Sequence, residues 1–144
     1  MERILIVHGP NLNLLGDRNP DVYGAASLAQ INELLSERAE AMGLEVRFVQ
    51  SNHEGELIDA LHRERHWADG VVINPGALTH YSYALRDAVE AIAPPAVEVH
   101  LSDIHHRESF RRVSVLQDVC ATQVSGKGAQ SYVEAMERLR SEDS

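Results

Sequence analysis

The sequence is poor in cysteine and in lysine, and each scarcity excludes a class of chemistry. Its single cysteine, Cys120, cannot form a disulfide within the chain, and its apolar sequence context predicts a buried thiol in a reducing cytoplasm. Lys127 is the only lysine beside twelve arginines, so any mechanism through a Schiff base would have to use this one residue.

Long apolar runs and an excess of positive charge are also absent. No run approaches the roughly 20 apolar residues of a membrane helix, and the chain enters a strand pattern at once, so we expect neither a membrane span nor a signal peptide. There are 22 acidic against 13 basic residues, whereas phosphate binding requires a basic face, so nucleic acid is not an expected partner. The length of 144 residues and the apolar fraction of 44% are typical of one soluble domain, spanning 1–144.

Strand and helix patterns alternate along the whole chain. Ser27 with Gln30, and Ser51 with Glu54, are spaced as capping boxes at the starts of the first two helices. The alternation predicts an α/β protein with a parallel sheet between two layers of helices, and five strands favour the doubly wound, flavodoxin-like order 2-1-3-4-5. The five predicted strands are residues 3–7, 45–50, 70–74, 96–101 and 119–124.

The polar segments of the chain follow the strands that meet at the centre of this sheet. Ligands in such sheets bind beyond the carboxyl ends of the strands, at the switch point between strands 1 and 3. The long segment 8–24 follows strand 1, 74–80 follows strand 3, and 98–102 ends strand 4. Long loops in compact domains are often functional. We therefore expect a site at this rim.

Two residues on strand 4 have the spacing of a general acid. Glu98 and His100 are two apart, so both side chains point to one face. A carboxylate beside an imidazole fixes its tautomer and supports its protonated form. The alternative is a buried pair without a chemical role. Arg111 and Arg112 follow the same strand, where one could bind a carboxylate bidentately, or both could be solvated.

The long first loop carries a candidate base. A phenol such as Tyr23 has an ordinary pKa near 10, and lowering it toward 7 takes about 4 kcal/mol. Arg18, five residues earlier, could supply much of this stabilisation. A tyrosine base and a histidine acid together suggest proton abstraction beside a carbonyl with loss of water. An alternative metal site would use His80, His105 or His106, but no ligand spacing supports it.

Several motifs are specific enough to indicate a family. They are GPNLNLLG at 9–16, YG at 23–24, QSNHEGELID at 50–59, INPGA at 73–77, ALRDA at 84–88 and VEVHLS at 97–102. With these motifs the chain resembles type II 3-dehydroquinate dehydratase from residue 4 to about residue 139. The resemblance implies the flavodoxin-like fold and the dehydration of 3-dehydroquinate to 3-dehydroshikimate through an enolate. It further implies no metal or cofactor, and a homo-oligomer of trimers packed into a dodecamer.

The same resemblance implies roles for individual residues. Tyr23, activated by Arg18, would take the proton from C2, while Asn11 and a water hold the enolate. His100, oriented by Glu98, would protonate the leaving C1 hydroxyl. The residues implied to hold the substrate are Asn74, His80, Leu101, Ser102 and Arg111, with Asp87 contributed by a neighbouring subunit.

The chain departs from the family at a few positions. His8 stands where the family usually has Asn, and the strand at 120–125 is less apolar than expected. Leu78, Tyr81, Tyr83 and Lys127 also differ. None of these positions carries an implied catalytic role. A non-catalytic binding or assembly protein on the same scaffold is the alternative, although such a protein would not need an acid and a base together. Aromatic biosynthesis and quinate breakdown both use this reaction, and the sequence favours neither.

Overall fold

The computed structural model of the chain describes residues 1–17, 21, 25–104 and 107–142. Its strands are β1 (Arg3–His8), β2 (Glu45–Gln50), β3 (Gly70–Asn74), β4 (Ala96–His100) and β5 (Thr122–Ser125). Its α-helices are α1 (Leu28–Ala41), α2 (Glu54–Glu64), α3 (Tyr83–Ala91) and α4 (Gln130–Glu142). Short 3₁₀ helices cover Leu12–Leu14, Gly76–His80, Ser109–Arg111 and Gln117–Val119.

The five strands form one parallel sheet in the order β2-β1-β3-β4-β5, which confirms the predicted order. Alternate residues of a strand point to opposite faces, and β1 divides accordingly. Ile4 and Ile6 pack on one face with α1 and α4, whereas Leu5 and Val7 pack on the other with α2 and α3. Both faces of the central strands are therefore buried, which explains their continuous apolar sequences.

One of the two predicted capping boxes is present. At the start of α1, Ser27 Oγ accepts from Gln30 N at 3.2 Å, and Ser27 N donates to Gln30 Oε1 at 2.9 Å. The second prediction is wrong, because α2 has His53 as its N-cap residue. Ser51 lies two residues before that cap, and its hydroxyl accepts from His53 N at 2.9 Å and donates to Glu56.

The strand boundaries differ most at β5. The prediction placed this strand at 119–124, whereas Gln117–Val119 is a 3₁₀ helix and β5 begins at Thr122. It is an edge strand, and of its four residues only Val124 is fully buried, so its apolar signal is weak. Within the part of the chain that the structure describes, no helix is long and apolar enough to cross a membrane.

Candidate active site

A cavity opens at the carboxyl ends of β1, β3 and β4, where the sheet order predicts a site. Seven of the residues proposed from the sequence line it, namely Asn11, Asn74, His80, His100, Leu101, Ser102 and Arg111. They come from four separate segments of the chain. The fold therefore gathers at one opening polar groups that are up to 100 residues apart in the sequence.

Two glycines let the loops after β1 and β3 pack against each other. A Cβ atom on Gly9 would lie 2.5 Å from the carbonyl oxygen of Pro75, and Gly9 N donates to the carbonyl of Asn74 at 2.7 Å. Gly76 has a φ of +60°, and a Cβ there would lie 3.0 Å from the Pro10 carbonyl. This close backbone approach brings Asn11 and Asn74 to the same cavity.

Asn11 is held in an unusual backbone conformation. Its φ is 70°, in the left-handed region, which costs a residue other than glycine on the order of 1 kcal/mol. Asn11 N donates to Asn52 Oδ1 at 2.9 Å, and Gln50 Nε2 lies 3.3 Å from the same oxygen. Asn52 thus supports the loop from the end of β2. Sequence reasoning gave this residue no role, although it lies in the QSNHEGELID motif.

The Glu98 carboxylate lies against the His100 imidazole on β4. Glu98 is fully buried, and its Oε2 lies 2.5 Å from His100 Nε2. The Thr79 hydroxyl donates to Oε2 at 2.5 Å, and the Ser114 hydroxyl donates to Oε1 at 2.7 Å. Because an ionised carboxylate only accepts hydrogen bonds, the His100 nitrogen that faces it carries the hydrogen. Nδ1 is then the ring nitrogen left for a ligand in the cavity.

The charge on Glu98 follows from two opposing effects. Burial raises the pKa of Glu98. Four effects lower it, namely the hydrogen bond and the electrostatic attraction of His100 and the hydrogen bonds from Thr79 and Ser114. Together they outweigh burial and hold the pKa below its ordinary value. The carboxylate is therefore ionised at neutral pH. A fixed negative charge therefore lies against the imidazole of His100 and holds it in one orientation and tautomer.

His80 has a defined tautomer at the opposite wall of the cavity. Its Nδ1 lies 2.7 Å from the carbonyl oxygen of Val113 and must donate to it, which leaves Nε2 as an acceptor. Desolvation lowers the pKa of His80 more than this hydrogen bond raises it, and the nearby positive charges of His100 and Arg111 lower it further. His80 is accordingly neutral at neutral pH.

Two arginines reach the cavity from the segment after β4. Arg111 Nη1 lies 3.0 Å from both carboxylate oxygens of Glu108, and its guanidinium stacks 4.7 Å from the ring centroid of Phe110. Arg107 also lines the cavity, with its Nη1 3.3 Å from Ser102 Oγ. Sequence reasoning missed Arg107 and considered Arg112 instead. Arg112 does not line the cavity, and its Nε donates to the Arg107 carbonyl at 2.7 Å.

Some predicted site residues lie elsewhere. Tyr23 and Arg18 lie outside the residues that the structure describes. Asp87 is exposed on α3 and does not line the cavity of its own chain. The carbonyl of Leu101 accepts from Gly128 N at 3.0 Å, so this part of its backbone is already engaged within the protein.

The metal alternative finds no donor set in the structure. Across residues 1–17, 21, 25–104 and 107–142, no three His, Cys, Asp or Glu side chains are grouped as metal ligands. His80, one of the three histidines considered, donates to a backbone carbonyl. The other two, His105 and His106, lie outside the described residues.

Comparisons with known proteins agree with one another. The sequence model of the family described as Dehydroquinase class II matches residues 2–140. The 3-dehydroquinate dehydratase of Halothermothrix orenii is 51% identical over 139 residues, which cover 96% of this chain and 94% of the relative. The type II dehydroquinase structure from Butyrivibrio crossotus has a TM-score of 0.94 at 41% identity, covering 96% of this chain and 97% of that one. The type II dehydroquinase from Propionibacterium acnes has a TM-score of 0.93 at 34% identity, covering 98% and 97%.

Proposed function

This chain belongs to the class II dehydroquinase family, and on that premise we propose how the residues of its cavity carry out the reaction. The reaction is the dehydration of 3-dehydroquinate to 3-dehydroshikimate, and the protein is a hydro-lyase. The observation that carries the proposal is the buried Glu98 carboxylate against His100, whose other ring nitrogen is left for a ligand in the cavity.

The elimination begins with a base in the loop after β1. Tyr23, activated as a phenolate by Arg18, takes the proton from C2 of the substrate. The electrons of that bond move toward the C3 carbonyl and form an enolate. Asn11 stabilises the enolate together with a water molecule. Its place on the cavity wall, fixed by the hydrogen bond to Asn52, supports this role.

The second step breaks the bond between C1 and its hydroxyl. His100 in its charged form donates the Nδ1 proton to the departing oxygen, while the enolate electrons form the C1–C2 double bond. Water leaves, and the new C1–C2 double bond of the product is conjugated with the C3 ketone. Glu98 keeps the imidazole in one orientation and stabilises its positive charge until the proton has left.

The remaining polar groups of the cavity hold the substrate. Arg111 suits the carboxylate because a guanidinium binds a carboxylate through two parallel hydrogen bonds. Asn74, His80 and Ser102 bind hydroxyl groups through side-chain donors and acceptors, and the backbone at Leu101 and Ser102 contributes as well. No cofactor has a role in these steps.

We further propose that the protein is a homo-oligomer of trimers packed into a dodecamer, with Asp87 completing a neighbouring cavity. Tyr83 is 67% exposed and lies one helical turn before Asp87 on α3. Tyr81, two residues earlier in the sequence, is 61% exposed. Large exposed aromatic side chains on the segment that carries Asp87 suit an interface between subunits.

Subunit complementation tests the shared site. His100→Ala and Asp87→Ala subunits are each expected to be nearly inactive. When the two are refolded or co-expressed together, some cavities would combine an intact His100 with a neighbour's intact Asp87, and activity should return. Mixed oligomers no more active than either parent would refute a contribution of Asp87 across the interface.

A cytoplasmic location is also proposed. Cys120 is half-buried, and burial raises the pKa of its thiol to about 12, so it stays protonated and unreactive. A structural thiol of this kind suits a reducing compartment. Fractionation of cells that produce the protein, with a periplasmic marker as control, is expected to leave the activity in the cytoplasmic fraction; activity that follows the marker would contradict this.

A direct assay tests the proposed acid. The product absorbs ultraviolet light because its new double bond is conjugated with the carboxylate and the ketone, so turnover can be followed continuously by absorbance. His100→Ala should lower kcat by at least about 100-fold, the lower range for loss of a general acid. Size-exclusion and circular dichroism profiles should match the unmodified protein. A folded His100→Ala variant with near-normal kcat would refute the role of His100, and absence of turnover by the pure, folded protein would favour the binding or assembly alternative.

A further inference from the structure

A buried chain of polar side chains runs behind Asn74, away from the catalytic pair. His8 and Tyr132 are fully buried, and Asn74 is 3% exposed. His8 Nε2 lies 2.8 Å from Asn32 Oδ1, and His8 Nδ1 lies 2.9 Å from the Tyr132 hydroxyl. Asn74 Nδ2 lies 3.0 Å from the same hydroxyl. The chain thus connects α1, β1, α4 and the end of β3.

The directions of the hydrogen bonds in this chain follow from two acceptors, the side-chain oxygens of Asn74 and Asn32. Gly76 N can only donate, and it lies 3.1 Å from Asn74 Oδ1, which fixes that atom as an acceptor, so Asn74 Nδ2 donates to the Tyr132 hydroxyl. Asn32 Oδ1 accepts from His8 Nε2, so the hydrogen of the neutral His8 ring is on Nε2. Nδ1 is then an acceptor, and the Tyr132 hydroxyl donates to it.

The surroundings of His8 favour this arrangement. His8 is the register partner of Asn74 in the pairing of β1 with β3, and its ring stacks parallel to Phe48 with centroids 6.3 Å apart. Burial lowers the pKa of His8 to about 4, against a smaller opposing effect of Asn32, so the ring is neutral. A neutral ring has one donor and one acceptor, as the chain requires.

We infer that His8 and Tyr132 are positioning residues that hold the Asn74 amide in the orientation that binds substrate. Two of the amide's hydrogen-bonding positions are used by Tyr132 and Gly76, and Asn74 is one of the residues that line the cavity. Without the Tyr132 hydroxyl, Asn74 Nδ2 and His8 Nδ1 would both lose their buried hydrogen-bond partner, and the amide would lose one of the two contacts that fix its orientation. The inference rests on the proposed substrate-binding role of Asn74.

Tyr132→Phe removes one oxygen and is the most direct perturbation. We expect kcat/KM to fall about 10- to 100-fold, mainly through a higher KM, because Asn74 binds the substrate before and during the reaction. Thr122→Val removes a hydroxyl that accepts from Arg138 Nη1 at 2.8 Å, away from the cavity, and serves as the control, with kinetics unchanged. A Tyr132→Phe protein that is folded and kinetically normal would overturn the inference.

A double-mutant cycle separates positioning from general destabilisation. If Tyr132 acts through the Asn74 amide, Tyr132→Phe should have no further effect on KM once Asn74→Ala has removed that amide. Additive losses in the double variant would show that Tyr132 acts elsewhere and would overturn the inference. A normal KM for Asn74→Ala would instead refute the substrate-binding role of Asn74, on which the inference rests. Turnover by the unmodified protein is a separate test of the reaction itself.

Substitutions of His8 provide an independent test if Tyr132→Phe does not fold. A glutamine offers an NH2 group as donor and a carbonyl oxygen as acceptor, and so can replace both roles of the neutral ring; His8→Gln should keep KM within about threefold of the unmodified protein. His8→Phe keeps the ring but removes both groups, and KM should rise about as much as in Tyr132→Phe. Equal KM values for His8→Gln and His8→Phe would overturn the inference.

Discussion

The buried His8 ring predicts a specific dependence of stability on pH. Its pKa is lowered from 6.5 to about 4 by burial. Between these values the unfolded chain binds a proton that the folded protein does not, so the free energy of unfolding falls as the pH is lowered. The contribution of His8 to the free energy of unfolding is constant above pH 6.5, decreases as the pH falls from 6.5 to about 4, and is constant again below pH 4. At about 1.4 kcal/mol per pKa unit, the whole loss is about 3 kcal/mol.

His8→Gln isolates this contribution because glutamine does not titrate. Tyr132, the neighbouring titratable side chain, stays neutral throughout, since burial raises its pKa above the ordinary value. Urea unfolding of both proteins at equal protein concentration should give stability differences that change by about 2.5 kcal/mol between pH 7.5 and pH 4.5, with the unmodified protein losing more. Titrations of all other groups cancel in this difference. Parallel pH profiles for the two proteins would refute the burial of a neutral histidine.

The fold was predictable because its main signals are local. The apolar strand Gly70–Asn74 has no polar alternation, which indicates burial on both faces, and the helices between strands carry their own periodicity. The sheet order then placed the loops after β1, β3 and β4 at one opening. The contact of Glu98 with His100 needs only the two-residue period of a strand.

The partners that complete the site were not predictable in this way. Thr79 and Ser114 contact Glu98 across 19 and 16 residues of sequence, and Tyr132 contacts His8 across 124. A lone serine, threonine or tyrosine carries no periodic signal that distinguishes it from many others. Its partner depends on how loops and layers pack, which local pattern does not determine. The mistaken capping box at Ser51 has a different origin, since the hydroxyl bonds locally to His53 N and the Glu56 carboxylate at the start of α2.

The catalytic groups and the loop packing give four further predictions. Tyr23→Phe should leave folding and oligomer size intact but lower kcat at least about 100-fold; a near-normal kcat would exclude the phenol as base. Exhaustive chelation of metal ions should leave kcat unchanged, and a loss of activity after chelation would favour the metal alternative. Gly9→Ala places a methyl group 2.5 Å from the Pro75 carbonyl and should destabilise the protein by about 1–3 kcal/mol in urea unfolding; unchanged stability would contradict the close packing of the two loops. Glu98→Gln keeps the shape but removes the charge that stabilises the charged imidazole of His100. Since a hydrogen bond to a charged group contributes about 2 kcal/mol, kcat should fall roughly 30-fold at neutral pH with KM little changed. The control is Glu64→Gln, which removes a carboxylate that pairs with Arg47 outside the cavity and should leave kcat unaltered. A Glu98→Gln enzyme that lost substrate affinity but kept kcat would show that Glu98 shapes the cavity and does not support the acid.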